Sequence, residues 1–342
     1  MTAGDARAAD DAWVAEWPAV LAHMRPAAWW APPGDMDAAA RAALHNHLAQ
    51  LRVTSLLGAQ ITRLPDSLGR LAQLAQLTLS YTGLTQLPPS LGRLGALRRL
   101  DLSHCARLAA LPALDGLASL ETLDLSFSGV AELPPSLGRL RALRRLDLSG
   151  CARLASLPDA LGDLAALKTL LLSRSGVAAL PDALGRLRAL RTLRLDHCRR
   201  CAALPAALAG LGALRTLDAA SSGLARVPPE IGRLAALETL DLSWCALAHV
   251  PDTLRGLAAL RRLSLAGAPI ARVPPSVGRL AALAVLDLRW CWRVRALPVS
   301  LARCRARVEL SDSGVVDVPA RVRDAVALRP GLPTFRPRGW RL

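Results

Sequence analysis

Residues 143–166 read LRRLDLSGCARLASLPDALGDLAA, and residues 167–189 read LKTLLLSRSGVAALPDALGRLRA. Both stretches follow one pattern: LxxLxL, a short turn, LxxLP and a second leucine-rich segment. A period of this length in a chain of 342 residues indicates an array of similar coils that stack on one another. The pattern recurs at steps of 23 or 24 residues, with starts at Leu51, Leu74, Leu97, Leu120, Leu143, Leu167, Leu190, Leu214, Leu237, Leu260 and Leu283, and a degenerate twelfth unit begins near Arg305.

Each coil combines two periodicities. Alternating apolar residues such as Leu77 and Leu79 predict a short strand with one buried face, and we expect these strands to stack in parallel. The proline after each LxxL ends regular structure, and the leucines of the following SLGRL segment, spaced three and four apart, predict a short helical turn on the outer side. Alternate units place Ser or Thr before glycine, as at Gly83, Gly129 and Gly223, where we expect a positive φ.

The patterns LDLSxCxxLxxLP and LxLSxTGLxxLPxSLGRL resemble the leucine-rich repeats of plant disease-resistance proteins and of the SHOC-type intracellular class. They are also similar to the repeat domains of plant-pathogen type III effectors such as XopL. The resemblance covers residues 51–319 and implies an α/β, right-handed leucine-rich-repeat solenoid of about 12 repeats, with a curved parallel β-sheet on the concave side and short helices on the convex side. XopL-like effectors carry a ubiquitin-ligase domain after the repeats, and the sequence after Pro319 shows no such domain.

A solenoid exposes its core at both ends, so capping segments are expected. We predict an N-terminal helical cap at residues 1–50, a repeat domain at 51–319, and a C-terminal cap with a basic tail at 320–342. Tryptophans of the first segment would cover the first coil or form a second contact surface. They are Trp13, Trp17, Trp29 and Trp30.

The net charge is +16, and Lys168 is the only lysine among 43 basic residues. This bias fits GC-rich codon usage, and it also fits a protein that avoids ubiquitin attachment inside a host cell. Asp5, Asp10 and Asp11 stand where a secretory signal needs basic and apolar residues, and no apolar run is long enough to span a membrane. We therefore expect a cytoplasmic protein, with Sec-independent delivery into a host cell as the open alternative.

The cysteines are interpreted as structural. Cys198 and Cys201 form an HCRRC motif that could bind zinc or exchange thiols, but Cys201 lies in register with core leucines of sister units. Neighbouring ladder cysteines should lie about 9.5 Å apart, because they fall in alternate coils, and this exceeds disulfide reach. The ladder comprises Cys105, Cys151, Cys198, Cys245 and Cys291, alternating with Thr82, Ser128, Ser175, Ser222, Ala268 and Ser313.

Function must be inferred from the side chains on the open face of the strands, since the leucines only hold the coils together. The last open position of each coil is enriched in rings, which anchor protein interfaces, although strand propensity alone also favours rings there. That position holds Tyr81, His104, Phe127, Gly150, Arg174, His197, Ser221, Trp244, Gly267 and Trp290. A row of acids lies beside it, at Asp101, Asp124, Asp147, Asp218, Asp241 and Asp287, with Arg99, Arg145 and Arg262 placed to form cross-strand ion pairs.

The other surfaces give weaker indications of function than the open face of the strands does. The repeated GRL places an arginine row on the outer side, which is either a solvated edge or a basic ridge for polyanions. This row comprises Arg70, Arg93, Arg139, Arg186, Arg233 and Arg279. Asp101 with His104, or Asp196 with His197, would lack a nucleophile and an enclosing pocket for catalysis.

The sequence therefore predicts a non-enzymatic module that binds a partner protein through the concave face, as in a bacterial effector acting in a host cell. The alternative is a substrate-targeting arm whose ubiquitin-ligase part is absent or supplied in trans. We expect no catalytic residue, cofactor or metal, a protein partner rather than nucleic acid, and a monomer.

Overall fold

The computed structural model describes residues 50–325 and 328–329. The chain divides into two compact units. Within the described residues, the first unit comprises 50–154 and 163–167, and the second comprises 155–162, 168–325 and 328–329. The predicted N-terminal cap and the end of the basic tail lie outside the described residues.

Each unit contains a parallel β-sheet whose strands neighbour one another in chain order. The first unit contains β1 (Val53–Ser55), β2 (Gln76–Thr78), β3 (Arg99–Asp101), β4 (Thr122–Asp124) and β5 (Arg145–Asp147). The second contains β6 (Thr169–Leu171), β7 (Thr192–Arg194), β8 (Thr216–Asp218), β9 (Thr239–Asp241), β10 (Arg262–Ser264), β11 (Val285–Asp287), β12 (Arg307–Glu309) and β13 (Leu328–Arg329). The predicted leucine-rich-repeat solenoid is confirmed.

The outer side of the coils is formed by 3₁₀ segments of five residues. The proline before a segment, such as Pro65, has extended angles (φ −68°, ψ 150°), and its carbonyl accepts the Leu68 N–H, so the helical path begins directly after it. Such i→i+3 bonds suit a single short turn. The segments are Asp66–Arg70, Pro89–Arg93, Pro135–Arg139, Asp159–Asp163, Asp182–Arg186, Ala206–Gly210, Pro229–Arg233, Asp252–Gly256, Pro275–Arg279 and Val299–Arg303.

The C-terminal part of the described chain continues the ladder. The degenerate twelfth unit supplies β12, which pairs in parallel with β11. Helix α1 (Ala320–Ala325) follows, and β13 then pairs with β12. A strand therefore lies inside the segment that the sequence analysis assigned to the cap.

The core is a stack of leucines that repeats from coil to coil. Leu74, Leu77, Leu79 and Leu84 of one coil are at most 1% exposed, and the equivalent residues of the coils that begin at Leu97 through Leu283 are also buried. Burying one such side chain contributes about 1.5–3 kcal/mol. Because each coil alone is too thin to bury its leucines, this stabilisation depends on the neighbouring coils.

A second buried row runs beside the leucines and consists of thiols and hydroxyls. The Cys105 thiol donates to the carbonyl oxygen of Leu79 at 3.2 Å, and the Thr82 hydroxyl donates to the same oxygen at 2.8 Å. Cys151, Cys198, Cys245 and Cys291 repeat this bond, with thiol–carbonyl distances of 2.9–3.1 Å. All seven cysteines are free and buried, including Cys201 at its predicted core position. The thiols of the row thus satisfy backbone carbonyl groups of neighbouring coils, in agreement with the structural interpretation of the cysteines.

The expected positive φ at Gly83, Gly129 and Gly223 is wrong. Left-handed glycines in the described chain are instead Gly58, Gly150 and Gly267. Glycine is needed at Gly223 because the preceding coil approaches closely: a Cβ there would lie 2.3 Å from the Arg199 carbonyl oxygen, and at Gly129 it would lie 2.2 Å from that of Ala106.

We predict that Gly223→Ala lowers the free energy of unfolding by about 1–3 kcal/mol, because the added methyl group forces two coils apart. Gly212→Ala is the matched control, since a Cβ there meets nothing within 4 Å. Urea denaturation followed by circular dichroism measures both variants. Equal midpoints for the two variants would contradict the close-approach explanation.

The buried thiols also predict a response to alkaline pH. Burial raises the pKa of Cys291 from its ordinary value of 9.0 to about 12. As pH rises above about 9, the unfolded chain loses this proton first, so the free energy of unfolding falls. Cys291→Ser keeps a hydroxyl that can donate to the Leu265 carbonyl and removes the ionisation. Urea midpoints at about pH 8 and about pH 10 should therefore fall less for the variant than for the native chain, and an equal fall would count against this account.

Candidate functional site

The strand-side face is the surface formed by the solvent-facing side chains of the strands and of the residues that follow each strand directly. The last of these positions has left-handed backbone angles in coil after coil. Bulky residues occupy many of these positions, including Tyr81 (φ 59°), Phe127 (φ 56°), Trp244 (φ 57°) and Trp290 (φ 62°). We call these positions the left-handed column; it comprises Gly58, Tyr81, His104, Phe127, Gly150, Arg174, His197, Ser221, Trp244, Gly267, Trp290 and Asp312.

The left-handed angles follow from the turn that ends each strand. The N–H of Tyr81 donates to the Ser103 carbonyl at 3.0 Å, and the N–H of His104 donates to that of Ser126 at 2.7 Å. The inter-coil ladder therefore continues beyond the strand before the chain turns away. A residue with a side chain in this conformation costs roughly 1–2 kcal/mol relative to ordinary angles, and glycine avoids that cost.

In the first unit the column carries a stack of three rings. Tyr81 and His104 have ring centroids 4.1 Å apart with an interplanar angle of 8°, and His104 and Phe127 have centroids 4.8 Å apart at 10°. Tyr81 is 59% exposed and Phe127 is 46% exposed. The Phe127 ring lies over Gly150, where a Cβ would be 2.5 Å from the ring. A glycine thus makes room for the last ring of the stack.

The second unit repeats this arrangement with tryptophans. The Trp244 ring lies over Gly267, and its centroid is 6.5 Å from that of Trp290. Both indoles are about half exposed. Arg174 and His197 occupy the same column and are exposed. The structure therefore places four rings of the predicted column on an accessible surface, namely those of Tyr81, Phe127, Trp244 and Trp290.

The aspartates of the strand-side face have a structural role that the sequence analysis did not foresee. Oδ1 of Asp101 accepts the N–H of Ser103 at 2.9 Å, two residues further along the chain. Asp124, Asp147, Asp218, Asp241 and Asp287 make the same bond to the residue two positions after them, at 2.9–3.2 Å. This is an Asx turn, which holds the backbone as it enters the left-handed residue. All six aspartates of the acidic row therefore maintain these turns.

The environments of these carboxylates differ. Asp147 and Asp287 are only 7% exposed, so they offer little surface to a partner. Burial raises the pKa of Asp218, and the N–H of Ala220 and the charge of Arg194 partly offset this. The accessible carboxylates are thus a subset of the predicted row.

Cross-strand Asp/Arg pairs occur, but none of the three arginines selected from the sequence forms one. Arg194 bridges from β7 to Asp218 on β8 at 2.9 Å. Arg145 instead pairs at 2.8 Å with Asp147 of its own strand. Arg99 and Arg262 have no ion pair among the described residues. Arg289, which the sequence analysis did not select, pairs with Asp287 and Glu309.

A shallow groove crosses β2, β3 and β4 next to the ring stack. Its walls carry two hydroxyls, one amide, one guanidinium and two carboxylates, which suits the binding of a polar, extended chain. The lining residues are Gln76, Leu77, Thr78, Arg99, Leu100, Asp101, Thr122 and Asp124.

Other features of the described chain show no site. Residues 50–325 and 328–329 contain no group of three or more His, Cys, Asp or Glu side chains that could hold a metal ion. Burial raises the pKa of Cys201 to about 11, which keeps its thiol protonated at neutral pH. No helix in the described segments is both long and apolar enough to cross a membrane. The row of GRL arginines lies at the end of the 3₁₀ segments, where Arg139 pairs with Asp115 at 3.3 Å.

Some exposed apolar residues were missed by the sequence analysis. Trp292 is 56% exposed and lies under the guanidinium of Arg293 at 4.7 Å. Val53 begins the first strand, Leu57 follows that strand, and both are about 60% exposed. The type of residue at these coil positions differs from repeat to repeat, so the repeat pattern did not predict that apolar side chains are exposed there.

We predict that Gly267→Ala displaces the Trp244 ring, because the new Cβ would lie 2.4 Å from it. Gly58→Ala is the matched control, since Gly58 has the same φ of 69° but a Cβ there meets nothing within 4 Å. Both variants should lose about 1 kcal/mol of stability from backbone strain. Only Gly267→Ala should shift the tryptophan emission maximum. An unchanged emission spectrum would show that the ring does not rest on Gly267.

Comparison with known proteins gives the fold. The family model of the leucine-rich-repeat region matches residues 97–197 and 135–222. A leucine-rich-repeat protein of Leptospira interrogans is 23% identical, with a TM-score of 0.67, over 79% of this chain and 77% of that one. The internalin InlF of Listeria monocytogenes is 13% identical, with a TM-score of 0.59, over 94% and 95% of the two chains. The plant peptide hormone receptor RGFR1, solved in complex with RGF2, is 22% identical with a TM-score of 0.57, over 82% of this chain and 51% of that one. No curated protein shows a significant match.

Proposed function

We propose that this chain is a non-enzymatic recognition module that binds a partner protein through its strand-side face. The observation that supports this most strongly is the left-handed column, where large exposed rings occupy positions that would be less strained as glycine. Leucine-rich-repeat folds are typical protein-interaction scaffolds. The fold supplies a rigid frame, and the rings supply the contacts.

The energetics of the column favour a binding role over a purely structural one. Gly58, Gly150 and Gly267 show that the turn forms with glycine at this position. A stacked ring pair contributes about 0.5–1.5 kcal/mol, which only partly offsets the backbone strain of the residues that carry the rings. Tyr81 and Trp244 moreover leave more than half of their surface in solvent. Exposed rings held in fixed positions bind partners with a small loss of side-chain entropy.

The charge distribution favours a protein over a polyanion on this face. In the first unit the face carries two arginines, Arg99 and Arg145, against three aspartates, although the whole chain has a net charge of +16. In the second unit the face carries five arginines against six acids. Most of the excess positive charge therefore lies on other surfaces, and the strand-side face has no field that would attract nucleic acid.

The solved relatives are compatible with a polypeptide partner. RGFR1, a plant peptide hormone receptor, was solved in complex with RGF2. The likeness to this chain establishes a shared fold, and a peptide or protein ligand for this chain is part of our proposal.

The test is to replace the exposed rings with glycine rather than alanine. We predict that a Tyr81→Gly, Phe127→Gly, Trp244→Gly, Trp290→Gly variant recovers at least tenfold less partner in a pull-down, because interface rings often contribute 2 kcal/mol or more. Thermal unfolding should change by only a few degrees, because glycine relieves strain as ring contacts are lost. The pull-down is compared by quantitative mass spectrometry.

Ser221→Gly is the matched control, since Ser221 occupies the column with φ 57° but carries no ring. It should bind as the native chain does. Equal recovery from the native chain and the four-site variant would contradict the assignment of the strand-side face.

An effector role in a host cell, with cytoplasmic action after Sec-independent delivery, is a finer hypothesis carried by the resemblance of the repeats. The second candidate is a targeting arm for a ubiquitin ligase. An in vitro ubiquitination assay with the full chain separates the two: self-modification or free-chain synthesis would contradict the non-enzymatic proposal.

A further inference from the structure

We infer that the strand-side face of β2–β4 receives an extended, basic polypeptide segment, with a lysine or arginine head near Asp101 and Asp124 and an apolar neighbour against the Tyr81–His104–Phe127 stack. This inference rests on the proposed function and specifies the partner's chemistry at one part of the face. The evidence comes from the ring stack, the groove beside it and the charge of its walls.

The ring stack and the groove lie on the same coils. Gln76, Thr78 and Tyr81 belong to one coil, and Arg99, Asp101 and His104 belong to the next. Oδ1 of Asp101 accepts the N–H of Ser103, the residue directly before His104. The carboxylate and the ring are thus held by one turn. A segment crossing the strands at this point meets polar groove walls on one side and ring edges on the other.

The groove keeps a net negative charge, because its two carboxylates outnumber its one guanidinium, that of Arg99. Asp101 and Asp124 are register partners on neighbouring strands, and neither forms an ion pair with a described residue. Asp147, the next carboxylate along, pairs with Arg145 at 2.8 Å. Like charges opposite each other on adjacent strands destabilise a sheet, so a partner's cation would relieve a repulsion that the chain itself leaves in place.

The apolar end of the site is open. The stack begins at Tyr81, and the column residue before it is Gly58, where a Cβ would meet nothing within 4 Å. Leu57 is 63% exposed beside it. An apolar, aromatic or guanidinium group of the partner can therefore contact the outer face of Tyr81, where a cation would also gain from the ring's negative face.

The test is a peptide array probed with the full chain. The array contains nine-residue peptides that share one Leu-rich sequence and differ only at the central residue, which is Arg, Lys, Gln, Phe or Glu. We expect binding to the Arg and Lys series to exceed binding to the Glu series at least tenfold, and to weaken with added salt. Fluorescence anisotropy with the best peptide then gives Kd values for the variants.

Asp101→Asn with Asp124→Asn removes both charges and keeps an oxygen to accept each turn N–H. This variant should raise the melting temperature of the free chain and weaken the Arg peptide at least tenfold. Asp66→Asn with Asp182→Asn removes two exposed charges from the outer 3₁₀ segments, away from the strand-side face, and should leave the affinity unchanged.

The inference would be overturned by equal binding across the array, by stronger binding of the Glu series or by no binding of any series. Equal affinities for the paired variant and the control would also overturn it. The proposed function has a separate readout. If the glycine variant of the four rings loses the partner while the array shows no preference for a basic centre, the strand-side face binds a protein and only its assigned chemistry is wrong.

Discussion

The structure depends on the backbone hydrogen bonds that join each coil to the next at the strand and at the residue after it. Leu79 N–H donates to the Asp101 carbonyl at 2.8 Å, and Tyr81 N–H donates to the Ser103 carbonyl at 3.0 Å. To keep both bonds and still turn away, the chain must adopt left-handed angles at Tyr81 and its equivalents. The Asx turn, the buried thiol–hydroxyl row and the small residues at points of close approach all maintain this geometry. The accessible rings are therefore displayed by the same turns that hold the coils together.

Much of the fold was predictable because it depends on local spacing. The leucines at positions such as Leu77 and Leu79 alternate with polar residues, which specifies a half-buried strand, and the proline after LxxL specifies where the outer segment begins. The burial of the cysteines was also predictable, since register alone assigns even Cys201, which lies outside the ladder, to the core. These features need only the order of residues within a coil.

The features that could not be predicted depend on contacts between coils. Gly223 follows a serine and resembles a turn glycine, but the Arg199 carbonyl of the preceding coil is the actual reason for it. The left-handed angles of Tyr81 and Phe127 were hidden because rings normally avoid them. The one available signal was that glycine replaces a ring in the same column at Gly150 and Gly267. The aspartates were recognised as a row, but their bonds to turn N–H groups were not inferred.

The buried row of thiols and hydroxyls limits how the array can change in length. Within the first unit a cysteine alternates with Ser or Thr, as in Thr82, Cys105, Ser128 and Cys151, so two thiols never occupy adjacent coils there. Deleting a Ser or Thr coil, or duplicating a cysteine coil, would bring two thiols to a strand spacing of about 4.8 Å, which lies within the Cα distances that permit a disulfide. Gain or loss of coils in pairs preserves the alternation. Gain or loss of coils in pairs would thus keep the interior free of covalent cross-links, whereas a single-coil change that brings two cysteine coils together would make the interior sensitive to oxidants.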